Sequence, residues 1–383
     1  MKSSSKPKLI RTSTIGMSLD IFCNGVLREL SERYDVVAVS SPDEYFENVR
    51  RREGVRCVEV PMERQISPLK DIISLWRLYK LFRHEKPLMV HSMTPKAGLL
   101  SMIAAWLARV PIRIHTFTGL VFPTAHGLTK RILMATDWLT CACATHIVPE
   151  GEGVKRDLLS HHITRKPIKV LGYGNVRGID LTHYNPDAVE PVFKENTDGV
   201  TFISIGRLVG DKGINELVSA FIRLRKDNPN IHLILVGPQE QDLDPLLPET
   251  LEAIANTPSI HAVGFQSDIR PWLKSAHVSI LASYREGFPN VVIEAGAMGL
   301  PQIVTNINGA NEIIVEGKNG TIIPPRDADA LYHAMRNMLN EEYRTSLAAN
   351  ARDMIASRYE QGFVRRCLYE YYEGVVSKVY NKL

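Results

Sequence analysis

Short apolar runs alternate with helical patterns along most of the chain, and this alternation predicts parallel sheets covered by helices. The strands predicted in the first half are residues 8–12, 35–40, 56–60, 89–91, 112–116, 146–149 and 168–172. Those in the second half are residues 200–205, 232–236, 260–263, 278–281, 302–305 and 320–323. We therefore predict an α/β protein with two doubly wound domains, and a ligand-binding cleft outside the carboxyl ends of both sheets.

Helical periodicity fills the spaces between these strands. One helix is predicted over 17–32, and the second half is predicted to contain helices at 213–226, 245–255, 269–275, 290–298, 328–340 and 343–357. The predicted domains are residues 1–180 and 197–360, joined by a Pro-, Asn- and charge-rich linker at 181–196. One more helix is predicted over residues 361–383, and the sequence leaves open whether it crosses back to the first domain.

Composition narrows the class of protein. The chain has 383 residues, of which 44% are hydrophobic and 23% charged, so it is globular rather than disordered and long enough for two domains. The longest apolar run, 97–110, is too short to span a bilayer, and residues 1–8 are polar and basic, so we expect a cytoplasmic protein. The five cysteines form no metal-binding pattern and are predicted to be free, mostly buried thiols.

The net charge of +4 is distributed unevenly. Residues 1–180 contain 27 Lys and Arg against 17 Asp and Glu, a balance of +10, which leaves −6 for the remainder. The first half is therefore expected to meet an anionic partner, whether a phosphate, a nucleic acid or a lipid headgroup.

A basic, apolar helix is predicted over 67–86. Its apolar face contains Leu69, Ile72, Ile73, Trp76 and Tyr79, widened by Leu75, Leu78 and Phe82. Its positive charges are Lys70, Arg77, Lys80, Arg83 and Lys86. We favour packing of this helix on the first sheet, and a second interpretation adds contact with an anionic membrane surface.

The strongest chemical motif is the segment 285–295. It follows a predicted strand, turns at a Gly-Phe-Pro sequence and opens a helix near Asn290, a residue type that caps helices. Backbone N–H groups at such a helix start suit a diphosphate. Glu286 and Glu294 are predicted to face the cleft as acceptors for sugar and ribose hydroxyls. The apolar neighbours of Glu294 argue against a merely solvated carboxylate.

A second loop, 206–213, also lies between a strand and a helix. It carries Arg207 and Lys212 between glycines, so two cations can reach one diphosphate that the backbone approaches closely. Loop cations are usually only solvated, but the glutamate motif in the same domain makes this combination specific.

These residues resemble the retaining GT-B glycosyltransferases with a Glu-x7-Glu motif, which form glycosyltransferase family 4, also called group 1. The resemblance covers nearly the whole chain and is most specific in the second half. It rests there on Gly206-Arg207, Lys212-Gly213, Val236-Gly237, Val263-Gly264-Phe265, Glu286 to Glu294, Gly309 with Glu312, and Asn319-Gly320. Three first-half segments, 91–98, 115–119 and 174–180, are similar to the subgroup that builds bacterial capsule and O-antigen polysaccharides.

The resemblance implies a GT-B fold, two Rossmann-like domains facing a central cleft, and residue roles that follow from it. The implied catalytic residues are Arg207, Lys212 and Glu286. The implied donor-binding residues are Gly16, Gly206, Phe265, Gly287, Phe288, Pro289, Asn290, Val291 and Glu294. Gly16, in the first loop, is expected to let the backbone approach the donor phosphates or the acceptor. Relatives often have His-Gly where this chain has Thr118-Gly119, so His115, Thr118 and Gly119 are placed near the acceptor or the sugar.

The implied partners are a nucleotide-sugar donor, for which a UDP-sugar is expected, and a polyprenyl-diphosphate-linked saccharide acceptor, with peripheral attachment to the inner face of the cytoplasmic membrane. No nucleic acid, cofactor or metal ion is expected. Two alternatives stay open on the same scaffold: another chemistry, as in a nucleotide-sugar epimerase or a phosphorylase, and a non-catalytic sugar-nucleotide sensor. The cation pair and both glutamates argue against a sensor, which has little need to stabilise a leaving group.

Three superficial motifs are discounted. The glycines of 172–178 have the wrong spacing for a dinucleotide fingerprint, and the residues after them cannot open a helix. Asp242 and Asp244 suggest a metal-binding pair but are predicted to belong to a solvated loop. His161 and His162 have diverging side chains and no evident third ligand.

Overall fold

A computed structural model describes residues 6–65, 67–193, 199–240 and 244–381. The chain divides into two compact units. The first unit contains residues up to Gly178 together with Gly362–Leu383, and the second is the continuous segment Ile179–Gln361.

The first unit is built on a six-stranded parallel sheet. Its strands are β1 (Lys8–Ile15), β2 (Asp35–Ser41), β3 (Arg56–Glu59), β4 (Met89–Met93), β5 (Ile112–Phe117) and β6 (His146–Pro149). They lie in the order β3-β2-β1-β4-β5-β6, so the chain reverses its direction of winding at β1. The apolar strands are buried on both faces, as parallel strands covered by helices must be.

Helices connect these strands. They are α1 (Gly16–Phe22), α2 (Val26–Leu30), α3 (Glu44–Glu53), α4 (Pro68–Glu85), α5 (Pro95–Leu107), α6 (Gly127–Cys143) and α7 (Glu152–Ser160). None of the helices in the described part of the chain is long and apolar enough to cross a membrane.

The second unit repeats the architecture. Its strands are β7 (Thr201–Ile205), β8 (His232–Val236), β9 (Ile260–Gly264), β10 (Val278–Leu281), β11 (Gln302–Thr305) and β12 (Gly320–Ile323), in the order β12-β11-β10-β7-β8-β9. Its helices are α8 (Ile214–Arg225), α9 (Pro248–Asn256), α10 (Arg270–Lys274), α11 (Asn290–Ala297), α12 (Ala310–Ile313), α13 (Ala328–Asn337) and α14 (Glu341–Tyr359). The predicted fold class of two doubly wound parallel sheets is confirmed.

The last helix, α15 (Gln361–Tyr380), belongs to the first unit. Its Tyr372 and Val375 are buried in the core beside Leu9 and Ile112. The Arg11 guanidinium donates to Tyr372 Oη at 2.6 Å, so this helix completes the core of a sheet whose strands come from the other end of the chain.

Two predicted elements are wrong in detail. The helix predicted over 17–32 is two helices, because Gly25 has a left-handed φ of 75° and starts α2 in a new direction. The strand predicted over 168–172 is a single bridge between Ile147 and Ile168.

The described part of the predicted linker, residues 181–193, belongs to the second unit, and residues 194–196 lie outside the described residues. Ile179 and Tyr184 are buried in the core of the second unit, and Leu181 and Phe193 pack against the same cluster. Ile179 pairs with Glu360 as an isolated bridge, so the two ends of this unit are held together. The five cysteines are free, and three of them are buried.

Candidate active site

The loops at the carboxyl edge of the second sheet contain the predicted donor residues of this unit. Carboxyl ends of parallel strands meet at one edge, which is where open α/β sheets bind ligands. Gly206, Arg207 and Lys212 follow β7, Phe265 follows β9, and residues 286–291 follow β10 and lead into α11. The sequence therefore distributes these residues over three loops of one edge.

These loops touch each other through glycine backbone. A Cβ on Gly237, which has a φ of 141°, would lie 1.9 Å from the carbonyl oxygen of Gly206. A Cβ on Gly309, with a φ of 74°, would lie 2.6 Å from the carbonyl oxygen of Gly287. No larger residue fits at Gly237 or Gly309 without moving backbone, so the edge is a closely packed surface of peptide groups.

Lys212 and Glu286 form an ion pair at the centre of this edge. Lys212 Nζ donates to Glu286 Oε1 at 2.5 Å, and both side chains are partly exposed. Lys212 ends a short 3-10 turn, and Gly213 after it has a left-handed φ of 68° and lies against the carbonyl oxygen of Ala282. Two of the three predicted catalytic residues thus meet, although 74 positions separate them in the sequence.

Arg207 lies on the same loop and has a different partner. Its guanidinium donates to Glu240 Oε2 at 2.8 Å. The hydrogen bond with Glu240 raises the pKa of Arg207, and the carboxylates of Asp211 and Glu286 add to this effect. Sequence reasoning missed Glu240, since a lone glutamate in a polar loop carries no signal. A diphosphate bound by Arg207 would replace or share this partner.

Asp244 shapes the loop that carries both cations. Its carboxylate accepts from the backbone N–H of Asp211 at 2.5 Å, and its carbonyl oxygen accepts from Gly210 N–H at 3.1 Å. The prediction of a merely solvated loop is therefore wrong for Asp244, whereas Asp242 lies outside the described residues. Within the described ranges, no three His, Cys, Asp or Glu side chains are grouped so that they could hold a metal ion.

Glu294 is buried, as its apolar neighbours indicate, and it accepts a hydrogen bond of 2.9 Å from Tyr184 Oη. Tyr184 comes from the predicted linker, and sequence reasoning did not include it in the site. The helix α11 begins at Asn290, as the sequence predicts, and its N-cap position is Pro289, which makes no side-chain cap.

The two predicted phenylalanines have opposite environments. The side chain of Phe265 is 75% exposed at the end of β9, where a planar ligand could stack on it. Phe288 is buried with its ring 5.7 Å from that of Tyr359, so only its backbone can face a ligand.

Gly16 of the first unit is not in a loop. It is the first residue of α1, which follows β1 directly, and its N–H donates to Asp43 Oδ2 at 2.8 Å. A Cβ at this position would lie 2.1 Å from Asp43 Oδ1. The close contact with Asp43 explains the glycine, and its role toward a donor or an acceptor stays a prediction.

His115, Thr118 and Gly119 are separated by burial. His115 is 1% exposed, its Nδ1 lies 2.8 Å from Ser92 Oγ, and burial lowers its pKa to about 3. Thr118 and Gly119 are partly exposed beyond the end of β5. In this structure His115 is enclosed in the sheet, so only Thr118 and Gly119 are accessible to a ligand.

Comparison with known families and proteins agrees with this architecture. Residues 21–174 match the family described as Glycosyl transferase 4-like domain, and residues 187–354 match Glycosyl transferases group 1. A capsular polysaccharide biosynthesis glycosyltransferase, CapM of Staphylococcus aureus, is 28% identical over 93% of this chain and 94% of its own. A galactosyltransferase of Escherichia coli, named for its diphosphoundecaprenol-linked GlcNAc acceptor, is 29% identical over 80% and 81%.

Solved structures show the same fold. Anabaena Alr3699/HepE in complex with UDP and glucose superposes with a TM-score of 0.78 at 17% identity, covering 96% of this chain and 100% of that one. A glycosyltransferase of Rickettsia africae has a TM-score of 0.76 at 19% identity over 97% and 99%. The chain therefore belongs to the GT-B glycosyltransferases, with a glycosyl transferase 4-like first domain and a group 1 second domain.

Proposed function

We propose that the protein is a retaining glycosyltransferase of surface polysaccharide biosynthesis. It transfers a hexose or N-acetylhexosamine from a UDP-sugar to a polyprenyl-diphosphate-linked saccharide. The observation that carries this proposal is the Lys212–Glu286 pair beside Arg207, where cations and a carboxylate acceptor share one edge. A nucleotide-sugar needs both, because its diphosphate is anionic and its sugar hydroxyls are hydrogen-bond donors.

Each side chain has a distinct task at this edge. Arg207 and Lys212 neutralise the diphosphate as it departs, and Glu286 accepts from the sugar hydroxyls. Glu294 holds the ribose, and the exposed ring of Phe265 lies near the base. Most of the rate comes from positioning and preorganised charge, so no protein nucleophile is required.

The transfer step needs no reactant other than the donor and the acceptor. The acceptor hydroxyl oxygen forms a bond to the anomeric carbon on the face that the nucleoside diphosphate leaves. The bond between that carbon and the phosphate oxygen breaks, and the departing diphosphate takes the electron pair and the hydroxyl proton. Attack and departure on one face retain the configuration of the sugar.

The names of similar proteins support the two substrates. Alr3699/HepE has been crystallised with UDP-glucose and with UDP, and the E. coli relative is named as using UDP-Gal. That relative and a Campylobacter jejuni relative, 25% identical over 96% of this chain, are both named for undecaprenol-diphosphate acceptors.

Peripheral attachment to an anionic membrane is part of the proposal. The helix α4 packs on the first unit through Leu75, Leu78 and Phe82, the residues that widen its predicted apolar face. Of the five residues of the predicted apolar face, Tyr79 packs on the core, whereas four stand largely in solvent: Leu69, Ile72, Ile73 and Trp76. Leu69 is 79% exposed, and Arg77, Lys80 and Arg83 are exposed on the same helix. An apolar face among cations suits a headgroup boundary.

A donor screen tests the chemistry. Calorimetry with UDP-, GDP- and ADP-sugars should show the tightest binding for a UDP-sugar. Mass spectrometry should then detect one added sugar on a lipid-linked acceptor pool, and NMR should show the same anomeric configuration in donor and product. Inversion would overturn the retaining assignment, and absence of transfer to every lipid-linked acceptor would overturn the acceptor class.

Vesicle co-sedimentation tests the attachment. The protein should sediment with phosphatidylglycerol vesicles at low salt and be released as salt rises, because the charge term decays within a Debye length of about 10 Å at 0.1 M. Replacing Arg77, Lys80 and Arg83 together by Glu should abolish sedimentation. A protein that stays in the supernatant at low salt, or a triple variant that still binds, contradicts the attachment.

A further inference from the structure

An apolar groove of about 460 Å³ lies in the first unit, outside the residues assigned to the donor. It is bordered by the end of β1 and by the helices α4, α5 and α6. Its apolar lining is Ile15, Pro95, Leu99, Val121, Ile132 and Leu133. A volume in the range of about 300 to 1,000 Å³ is usual for sites that enclose a small molecule or a segment of a chain.

One end of the groove is polar and lies at the carboxyl edge of the first sheet. Thr14 at the end of β1 and Thr94 after β4 line it, with their hydroxyl oxygens 2.8 Å apart. Lys96 lines the same end and is paired with Asp71 at 2.8 Å. Arg64 also lines the groove, next to Gln65, whose carbonyl oxygen accepts from Lys96 Nζ, and among the described residues it makes no ion pair. This end therefore carries a net positive charge.

The other wall continues into an exposed apolar stripe on α6. Leu128, Ile132, Ala135 and Leu139 follow one another at helical spacing, and all four are exposed. Leu128 is 72% exposed, and Ile132 belongs both to the stripe and to the groove lining. The groove thus joins a cationic end at the sheet edge to an apolar surface that no described residue covers.

This polarity matches one ligand class. A lipid diphosphate has an anionic head and a long apolar chain, so the head fits the Arg64 and Lys96 end while the chain fits the groove and the α6 stripe. A free saccharide has no apolar part that would contact the lining of the groove. A soluble nucleotide likewise has no apolar chain that would contact the exposed stripe on α6. We propose that this groove binds the first isoprene units of the polyprenyl chain of the acceptor. The proposal rests on the proposed function and adds the place where its lipid is recognised.

Binding of simple prenyl diphosphates provides the test, with probes kept below the concentration at which they form micelles. Geranylgeranyl diphosphate should bind at least about tenfold more tightly than dimethylallyl diphosphate, since each buried methylene contributes about fourfold in affinity. Equal affinity for the two would show that the chain is not held and would overturn the proposal.

Two variants and a matched control locate the binding. Leu99→Trp fills the groove and Ile132→Glu places a charge on its wall, and each should remove the preference for the longer chain. Leu159→Glu is the control, because Leu159 on α7 is 44% exposed against 43% for Ile132 but does not line the groove. Loss of the preference in Leu159→Glu as well, or its survival in both groove variants, contradicts the assignment.

Two further measurements distinguish binding in the groove from contact with the bilayer and from the proposed function. Leu99→Trp should sediment with vesicles as the wild type does, and loss of sedimentation would make the groove part of the bilayer contact instead. Efficient transfer to an acceptor with a five-carbon chain, with an unchanged KM, would overturn the groove and leave the proposed function standing. Chain-dependent binding of the diphosphates without transfer to any lipid-linked saccharide would support the groove and overturn the proposed function.

Discussion

The two units share one sheet architecture but differ in where they keep their polar side chains. In the second unit, Arg207, Lys212 and Glu286 lie on loops beyond the strand ends and remain partly exposed. In the first unit, Arg11 and His91 lie within neighbouring strands and are buried. The same sheet architecture therefore carries exposed charges on its loops in the second unit and buried polar side chains inside its strands in the first.

The buried side chains Arg11 and His91 of the first unit are hydrogen-bonded to each other and to their neighbours in the fold. His91 Nδ1 lies 2.9 Å from the Arg11 guanidinium and 2.5 Å from Tyr372 Oη, while its Nε2 lies 2.7 Å from Thr116 Oγ1. Burial lowers the pKa of His91 well below its usual value, and the positive charge of Arg11 lowers it further. This histidine is a neutral structural group, whereas the loop cations of the second unit are ion-paired and partly exposed.

The largest effect is expected from the loop cations. Lys212→Ala and Arg207→Ala should each lower turnover by about a hundredfold or more, because each removes one preorganised charge from the departing diphosphate. Steady-state kinetics give the effect, and thermal melting should show intact folding. Lys226→Ala, an exposed lysine at the end of α8, is the control and should retain activity. Activity within a few fold of wild type in both loop variants would remove the diphosphate assignment.

A glycine pair in the first unit distinguishes packing from chemistry. Gly16→Ala should destabilise the protein by about 1–3 kcal/mol, because its Cβ would overlap Asp43 and the backbone of Phe46. Gly374→Ala is the control, since nothing lies within 4 Å of its Cβ position in α15, and it should be neutral or stabilising. Urea unfolding measures both. An unchanged midpoint for Gly16→Ala would refute the packing role, and loss of UDP affinity at that unchanged midpoint would show that the glycine serves a ligand.

Acid should weaken the first unit through His115. With a folded pKa of about 3 against about 6.5 when unfolded, the neutral ring stabilises the fold above pH 6.5, and this stability is lost as the pH falls toward 3. The contribution of His115 to the loss between pH 8 and pH 5 should be about 2 kcal/mol. Amide hydrogen exchange in β4 and β5 during urea unfolding reports on this unit.

His115→Gln is the comparison for that measurement and should remove the part of the acid-dependent loss that belongs to His115, while His91, whose pKa is also lowered, keeps its own contribution. Asp137 acts with the opposite sign, because burial raises its pKa to about 7 and the fold gains from its protonation as the pH falls. Asp137 contributes equally in wild type and in His115→Gln, so its contribution cancels in the difference between their free energies of unfolding. An identical pH dependence in both proteins would refute the structural role assigned to the neutral ring.

The smallest effect is expected from metal removal. EDTA should leave turnover within about twofold, and added Mg²⁺ or Mn²⁺ should not raise it, because Arg207 and Lys212 already supply positive charge to the diphosphate. The assay is steady-state turnover in chelated and metal-supplemented buffer. If EDTA abolished activity and a metal restored it, the pair Asp242 and Asp244 would have to be reconsidered.

The fold was readable from the sequence because its strands are buried on both faces and appear as continuous apolar runs. The strand at 168–172 was wrongly predicted for the same reason. This segment is a short apolar run, but it forms only one bridge, between Ile168 and Ile147. In α4 the apolar positions cover more than half the circumference, so the sequence could not show which of them faces the core. The structure buries Leu78 and Phe82 and exposes Leu69 and Trp76.

The site was readable where chemistry is local in sequence. Glycines and charges directly after a strand indicated the loops that hold Lys212 and Glu286. The partners Glu240 and Tyr184 were missed because they come from distant segments with no motif of their own, and only tertiary packing brings them to Arg207 and Glu294. Gly16 was misplaced because an abrupt strand-to-helix junction and a loop glycine look alike in sequence.

The path of the chain has a consequence for its biosynthesis. Residues 179–361 form a continuous unit, whereas the first unit needs α15, whose Tyr372 fills its core and receives a hydrogen bond from Arg11. Because synthesis proceeds from the N-terminus, we expect the second unit to fold on the ribosome while the first still lacks its last helix. The unit whose strands are made first is thus completed last, and until then the apolar surface that α15 covers is exposed.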